Sequence, residues 1–211
     1  MKVQLFNWLA LAWDILLKNS PWMGWNLFLA FIPLFLSFWL FHSTKSRSLL
    51  WWAACLFFVY FLPNAPYVLT DIIHLIEDIR QNYSAWLVTL VLIPLYMLFI
   101  FLGFEAYVLS LLNLGHYFQQ QGWVRFILPA ELFLHSLSAI GIYLGRFLRF
   151  NSWDIVTRLD TLTAAILDDV LAKWPLLVIA VTFVAIAGLY WLMKQVTLGV
   201  ILRFRQFSVT A

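Results

Sequence analysis

Residues 175–193 read PLLVIAVTFVAIAGLYWLM, a run without a single formal charge. A helix of that length crosses the roughly 30 Å hydrocarbon core of a bilayer. Residues 22–41, WMGWNLFLAFIPLFLSFWLF, are charge-free in the same way. Working outward, residues 49–69 are apolar but interrupted by Pro63, Asn64 and Pro66. Residues 85–112 carry only Glu105, and residues 126–145 carry Glu131 and His135. The reading is all-α, a polytopic helical membrane protein with about five transmembrane helices and further interfacial amphipathic helices.

Composition excludes the alternatives. Of 211 residues 64% are hydrophobic, 19% aromatic and 11% charged, whereas soluble domains carry about 25% charged residues. A globule in water would lack polar surface, so lipid is the solvent. The net charge of +3 is scattered rather than clustered, which excludes a nucleic-acid footprint. Cys55 is the only cysteine, so no internal disulfide exists. No phosphate-cradling loop, dinucleotide fingerprint, zinc-protease pair or nucleophile elbow is present, and the pattern identifies no metal site and no cofactor.

The domain reading is one integral membrane unit over 1–211, with an interfacial N-terminal helix over 1–21, a transmembrane bundle over 22–193 and a polar tail over 194–211. Gln4, Asn7, Asp14 and Lys18 share a helical face, as on a helix lying in the headgroup region or, with local thinning of the bilayer, crossing it, and no small-residue cleavage site follows. Lysine and arginine counts in the connections nearly tie, and favour a cytoplasmic C-terminus by one charge only when Arg146 and Arg149 are set aside as site residues. Parity is firmer. Two spans separate the segment after Leu69 from the segment after Gly145, so both emerge on one membrane face whichever way the chain is inserted.

At Leu62 the second span runs into Pro-Asn-Ala-Pro-Tyr, where two prolines remove backbone donors. The break is either a helix exit at the interface or the wall of a polar cavity, where alone broken backbone survives at membrane depth. Thr70 or Asp71 then caps a helix with Asp71, His74, Asp78 and Gln81 on one face and isoleucines and leucine on the other. That polar face is either solvated or sets His74 between carboxylates as a base or ligand.

In the fourth span Glu131, His135, Ser138, Ile142, Arg146 and Arg149 fall in one helical stripe. Ionisable residues in a span are costly in lipid, so this stripe needs partners. Gly141 and Gly145 beside it allow a neighbouring helix to approach. Glu105 is the expected partner of Glu131 and His135 by depth, forming an intramembrane polar cluster that binds a cation, relays a proton or simply fixes packing. At the other end Arg146 and Arg149, at helical spacing, either snorkel or hold a phosphate or carboxylate beside Asp71 and His74. Asn151 or Ser152 then caps a second interfacial helix with Ile155, Leu159, Leu162, Ile166 and Val170 on its apolar face and Asp154 away from it.

Two stretches, LPNAPYVLTDIIHL at 62–75 and GRFLRFNSWD at 145–154, resemble the signatures of a bacterial membrane-protein family catalogued as domain of unknown function 1361. The resemblance covers most of the chain. It implies a small polytopic protein of the bacterial cytoplasmic (inner) membrane and carries no activity, substrate or cofactor. Asn64, Tyr67, Thr70, Asp71, His74, Arg146, Arg149, Asn151, Ser152 and Asp154 mark it, the same residues that parity brings to one face.

The leading functional expectation is therefore a polar, arginine-containing pocket at that face, binding an anionic small molecule or lipid headgroup among the membrane lipids. Were it an enzyme, Asp71 and His74 would be the acid and base. A proton-coupled carrier built on Glu105 and Glu131, and a scaffold whose polar groups only fix packing, are the alternatives. The sequence specifies neither reaction nor oligomeric state.

Overall fold

The computed structural model describes residues 2–43, 47–149 and 173–210, with side chains described between 6 and 207. Its elements are α1 (Lys2–Phe38) with a π-helical turn (Trp39–Ser43), α2 (Leu49–Phe61), the short α3 (Asn64–Tyr67), a 3-10 turn (Val68–Asp71) and α4 (Ile72–Ile79). They continue with α5 (Ala85–Leu87), a π-helical turn (Val88–Leu92), α6 (Ile93–Gln120), a 3-10 turn (Val124–Phe126), α7 (Ile127–Arg146) and α8 (Lys173–Thr210). No strand occurs among the described residues. Five helical stretches, Phe6–Ser43, Leu49–Ile79, Ala85–Gln120, Val124–Arg146 and Lys173–Phe207, are long and apolar enough to cross a bilayer, and the chain is a multi-pass membrane protein. The interfacial helix expected over 155–170 lies outside the described residues.

Two segment boundaries differ from the sequence reading. The N-terminal segment is not a separate helix before the first span: α1 runs unbroken through Pro21 and Pro33. Proline removes one hydrogen bond, but in an apolar surround a helix still satisfies more backbone groups than any break would. Just before Pro21, Asn19 Nδ2 donates to the Ile15 carbonyl at 3.0 Å and Ser20 Oγ to the Leu16 carbonyl at 2.6 Å. At the other terminus, residues 194–210 continue α8 rather than leaving it as a tail. At 37 and 38 residues, α1 and α8 are each roughly 55 Å long and exceed the hydrocarbon thickness.

The interior has two apolar centres. One gathers Leu40, Trp51, Phe58, Tyr107, Leu111, Ile142 and Ile186 from α1, α2, α6, α7 and α8. The other gathers Ile15, Met23, Val68, Leu92, Tyr96 and Phe99, where the first half of α1 meets the start of the 85–120 stretch. Large apolar side chains such as Phe35, Leu56, Phe101, Phe133 and Leu192 point outward. Lipid tails are as apolar as these residues, so burial drives little of the association, and close packing and polar bonds decide the arrangement.

Candidate functional site

The Pro-Asn-Ala-Pro break is packed inside the bundle: Ala65, Pro66 and Val68 are buried. Two glycines make room for it. A Cβ on Gly103 of α6 would stand 2.8 Å from both Cγ atoms of Val68, and one on Gly141 of α7 2.8 Å from Cβ of Pro63. The broken segment is thus wedged between two helices at near backbone contact. The wedge carries Thr70 and Asp71 to the C-terminal end of α7, where Arg146 emerges.

There the two separated stretches meet. Arg146 Nε and Nη2 donate to Thr70 Oγ1 at 3.0 and 2.7 Å, and Nη2 also donates to Asp71 Oδ1. Asn26 Nδ2 of α1 donates to the other carboxylate oxygen at 2.9 Å, so Asp71 is satisfied from two sides. The Thr70 hydroxyl donates to the Tyr67 carbonyl at 2.7 Å, and the Tyr67 ring lies 4.8 Å beneath the guanidinium carbon. Asp71 is 1% exposed, whereas the Arg146 side chain is 20% exposed and that of His74 is 41% exposed. His74 flanks the pair, with Nε2 4.0 Å from Asp71 Oδ1 and Nδ1 3.0 Å from Glu77 Oε2, its ring 5.0 Å from that of Trp22. The centre is a buried carboxylate that orients a partly exposed arginine, with the more exposed His74 ring beside it.

Several expected roles change. Asp71 stands before α4 but makes no side-chain cap bond, because its carboxylate is taken by Arg146 and Asn26. Arg149 does not follow Arg146 at helical spacing: α7 ends at Arg146, and Arg149 is exposed with φ 58°. It forms no ion pair among the described residues. Asn64 Nδ2 donates to the Phe61 carbonyl at 3.0 Å, closing the break locally. Asn151, Ser152 and Asp154 lie outside the described residues.

α4 is amphipathic but inverted relative to a helix on a soluble protein. Asp71 and Asp78 face inward, while Ile72, Ile73, Ile76 and Ile79 are 41–51% exposed. Polar in and apolar out is the arrangement that lipid, rather than water, favours around a helix. Asp78 accepts from Lys18 Nζ at 2.8 Å and Asn19 Nδ2 at 3.1 Å, and the Tyr96 hydroxyl lies 3.2 Å from it. Lys18 is therefore turned to a carboxylate in the bundle, not only to headgroups. Asn19, Asn26 and Tyr96 were not singled out in the sequence. The signal available was two asparagines seven residues apart on a long apolar helix, two turns that share a face.

The other end of α7 holds a second polar centre. Glu131 Oε1 accepts from Lys194 Nζ at 2.5 Å and the Tyr190 hydroxyl at 2.7 Å. His135 Nδ1 shares a 2.7 Å hydrogen bond with the Tyr107 hydroxyl, which lies 3.4 Å from Ser138 Oγ. Glu105 does not join them. Its Oε1 accepts from Thr197 of α8 at 2.7 Å, and its buried Oε2 has no partner among the described residues. Glu105 thus bonds to Thr197 of α8, three residues beyond the Lys194 that serves Glu131. Among the described residues no three His, Cys, Asp or Glu side chains gather as a metal site.

A family described as protein of unknown function (DUF1361) matches residues 25–187. The chain belongs to this family. The DUF1361 region contains Asn26, the proline break, Asp71, His74 and Arg146, so the whole Arg146 centre lies inside it. No curated protein and no solved structure matches the chain.

Proposed function

We propose that this DUF1361 protein binds an anionic group, a phosphate or carboxylate on a small molecule or a lipid headgroup, at the rim formed by Arg146 and His74. The observation that carries the reading is the partial exposure of an arginine whose orientation is fixed from behind by Asp71, Thr70 and the Tyr67 ring. A guanidinium has five donors in a planar fork. Here Nε and Nη2 are engaged inward, which leaves Nη1 to meet a ligand at the rim. Asp71, already bonded twice, serves as the positioning group, and His74 is the side chain suited to proton transfer or to a second contact. The bacterial cytoplasmic membrane is the proposed location.

Titrating the detergent-purified protein with inorganic phosphate and with dihexanoyl phosphatidic acid, followed by thermal unfolding, separates a free anion from a headgroup. One of the two raises the midpoint in the parent protein and not in a folded Arg146→Gln variant. Equal stabilisation of both proteins, or none by either ligand, overturns the reading. A carrier reading rests on a different group, the bare Oε2 of Glu105. Proteoliposome flux that survives Glu105→Gln and Glu131→Gln excludes coupling through those carboxylates.

A further inference from the structure

At the end of the bundle opposite Arg146, the C-terminal turn of α6, the 3-10 turn and the start of α7 enclose an open apolar groove of about 500 Å³. Phe118, Trp123, Phe126, Pro129, Ala130 and Phe133 line it. Trp123, Phe126 and Phe133 are 42, 46 and 60% exposed, so the walls are aromatic surface that no part of the described chain covers. Two arginines stand over those walls. The Arg47 guanidinium carbon lies 5.0 Å from the Trp123 ring centre, and that of Arg125 lies 4.8 Å from the Phe126 ring centre. Arg47 is held in place by bonds from Nε to the Tyr117 hydroxyl at 3.0 Å and from Nη2 to Gln121 Oε1 at 2.8 Å. Neither arginine pairs with a carboxylate among the described residues. Glu131, one turn further into the bundle, is already neutralised by Lys194.

We infer that this groove is a binding site for one anionic phospholipid, its acyl chain against the aromatic walls and its phosphate between Arg47 and Arg125. An aromatic trough flanked by two arginines that have no carboxylate partner among the described residues matches an amphiphile with an anionic head, and matches a zwitterionic one less well. Basic side chains at the membrane surface favour anionic lipid by about fivefold each. Stacking on the rings pre-orients both guanidinium groups without neutralising them. The site is separate from the Arg146 rim, which lies at the other end of α7.

The test is native mass spectrometry of the full chain released from nanodiscs of dioleoyl phosphatidylglycerol and dioleoyl phosphatidylcholine in equal amounts. The parent protein retains one phosphatidylglycerol in preference to phosphatidylcholine. Arg125→Gln lowers that preference about fivefold and the Arg47→Gln, Arg125→Gln pair removes it. Ala130→Phe, which fills the groove, lowers retention of both lipids, and Arg146→Gln leaves the preference unchanged. Arg47→Gln gives up two internal bonds, so if it fails to fold, Arg125→Gln alone decides. No preference in the folded parent protein, or an undiminished one in folded Arg125→Gln, overturns the inference. So does a preference lost in Arg146→Gln, which would place the lipid at the opposite rim.

Discussion

The two ends of α7 carry the same chemistry in different settings. At Arg146 the carboxylate comes from a broken stretch of backbone, is bonded from two sides, and leaves the cation at an open rim. At Glu131 the partners come from the intact α8, and Lys194 and Tyr190 converge on a single carboxylate oxygen beside His135 and Tyr107. The first is a close approach for which Gly103 and Gly141 make room, with its cation partly exposed. The second is a helix-to-helix clasp. Buried ion pairs are poor sources of net stability, yet costly to half-remove. The difference between the two ends therefore lies in what removal exposes.

The largest effect expected is at the open end. Asp71→Ala leaves Arg146 four-fifths buried without its carboxylate and lowers unfolding stability in detergent by about 3 kcal/mol. Asp71→Asn, which keeps a hydrogen-bond acceptor, loses less. Glu131→Ala costs about 2 kcal/mol, because the flexible lysine stem lets the Lys194 ammonium swing away from the site, whereas the Arg146 guanidinium stays held by its bonds to Thr70. Equal losses at both ends would erase the contrast. Gly141→Ala places a methyl 2.8 Å from Pro63, costs about 1–2 kcal/mol by overpacking, and weakens the proposed anion binding at Arg146 without touching it. Tyr107→Phe removes the bond to His135 at the closed end and costs about 0.6 kcal/mol, the usual size of an interhelical hydrogen bond in a membrane. Gly24→Ala on α1, where nothing stands within 4 Å, stays within about 0.5 kcal/mol and controls for glycine substitution in general.

Much of this was legible in the chain. The runs of apolar residues require helices across lipid, because lipid offers backbone groups no other partners. Parity then placed Asp71 and Arg146 on one face, and the periodicity of α7 gave the inward stripe from Glu131 to Ser138. What escaped was azimuth and continuity. Glu105 lay near the right depth but faced Thr197, and Asn26 looked like an unremarkable polar residue in an apolar run until Asp71 was seen to accept from it. Pro21 reads as a helix boundary in isolation, yet α1 passes through it. Arg149 fits a helical stripe only if the helix continues, and it stops one turn earlier.

Composition and hydrophobic period by themselves determined that this is an all-helical membrane protein with polar groups that must find partners inside it. Both depend only on the cost of exposing backbone and charge to lipid, a local quantity that each segment carries with it. Tertiary structure decided which partners met: that Arg146 rather than Arg149 reaches Asp71, that Lys194 and not Glu105 completes Glu131, and that α4 turns Asp78 inward and leaves Glu77 exposed. Those outcomes depend on how helices rotate and how closely they approach at Gly103 and Gly141, and pairing between segments 60 to 75 residues apart leaves no periodic trace in either one.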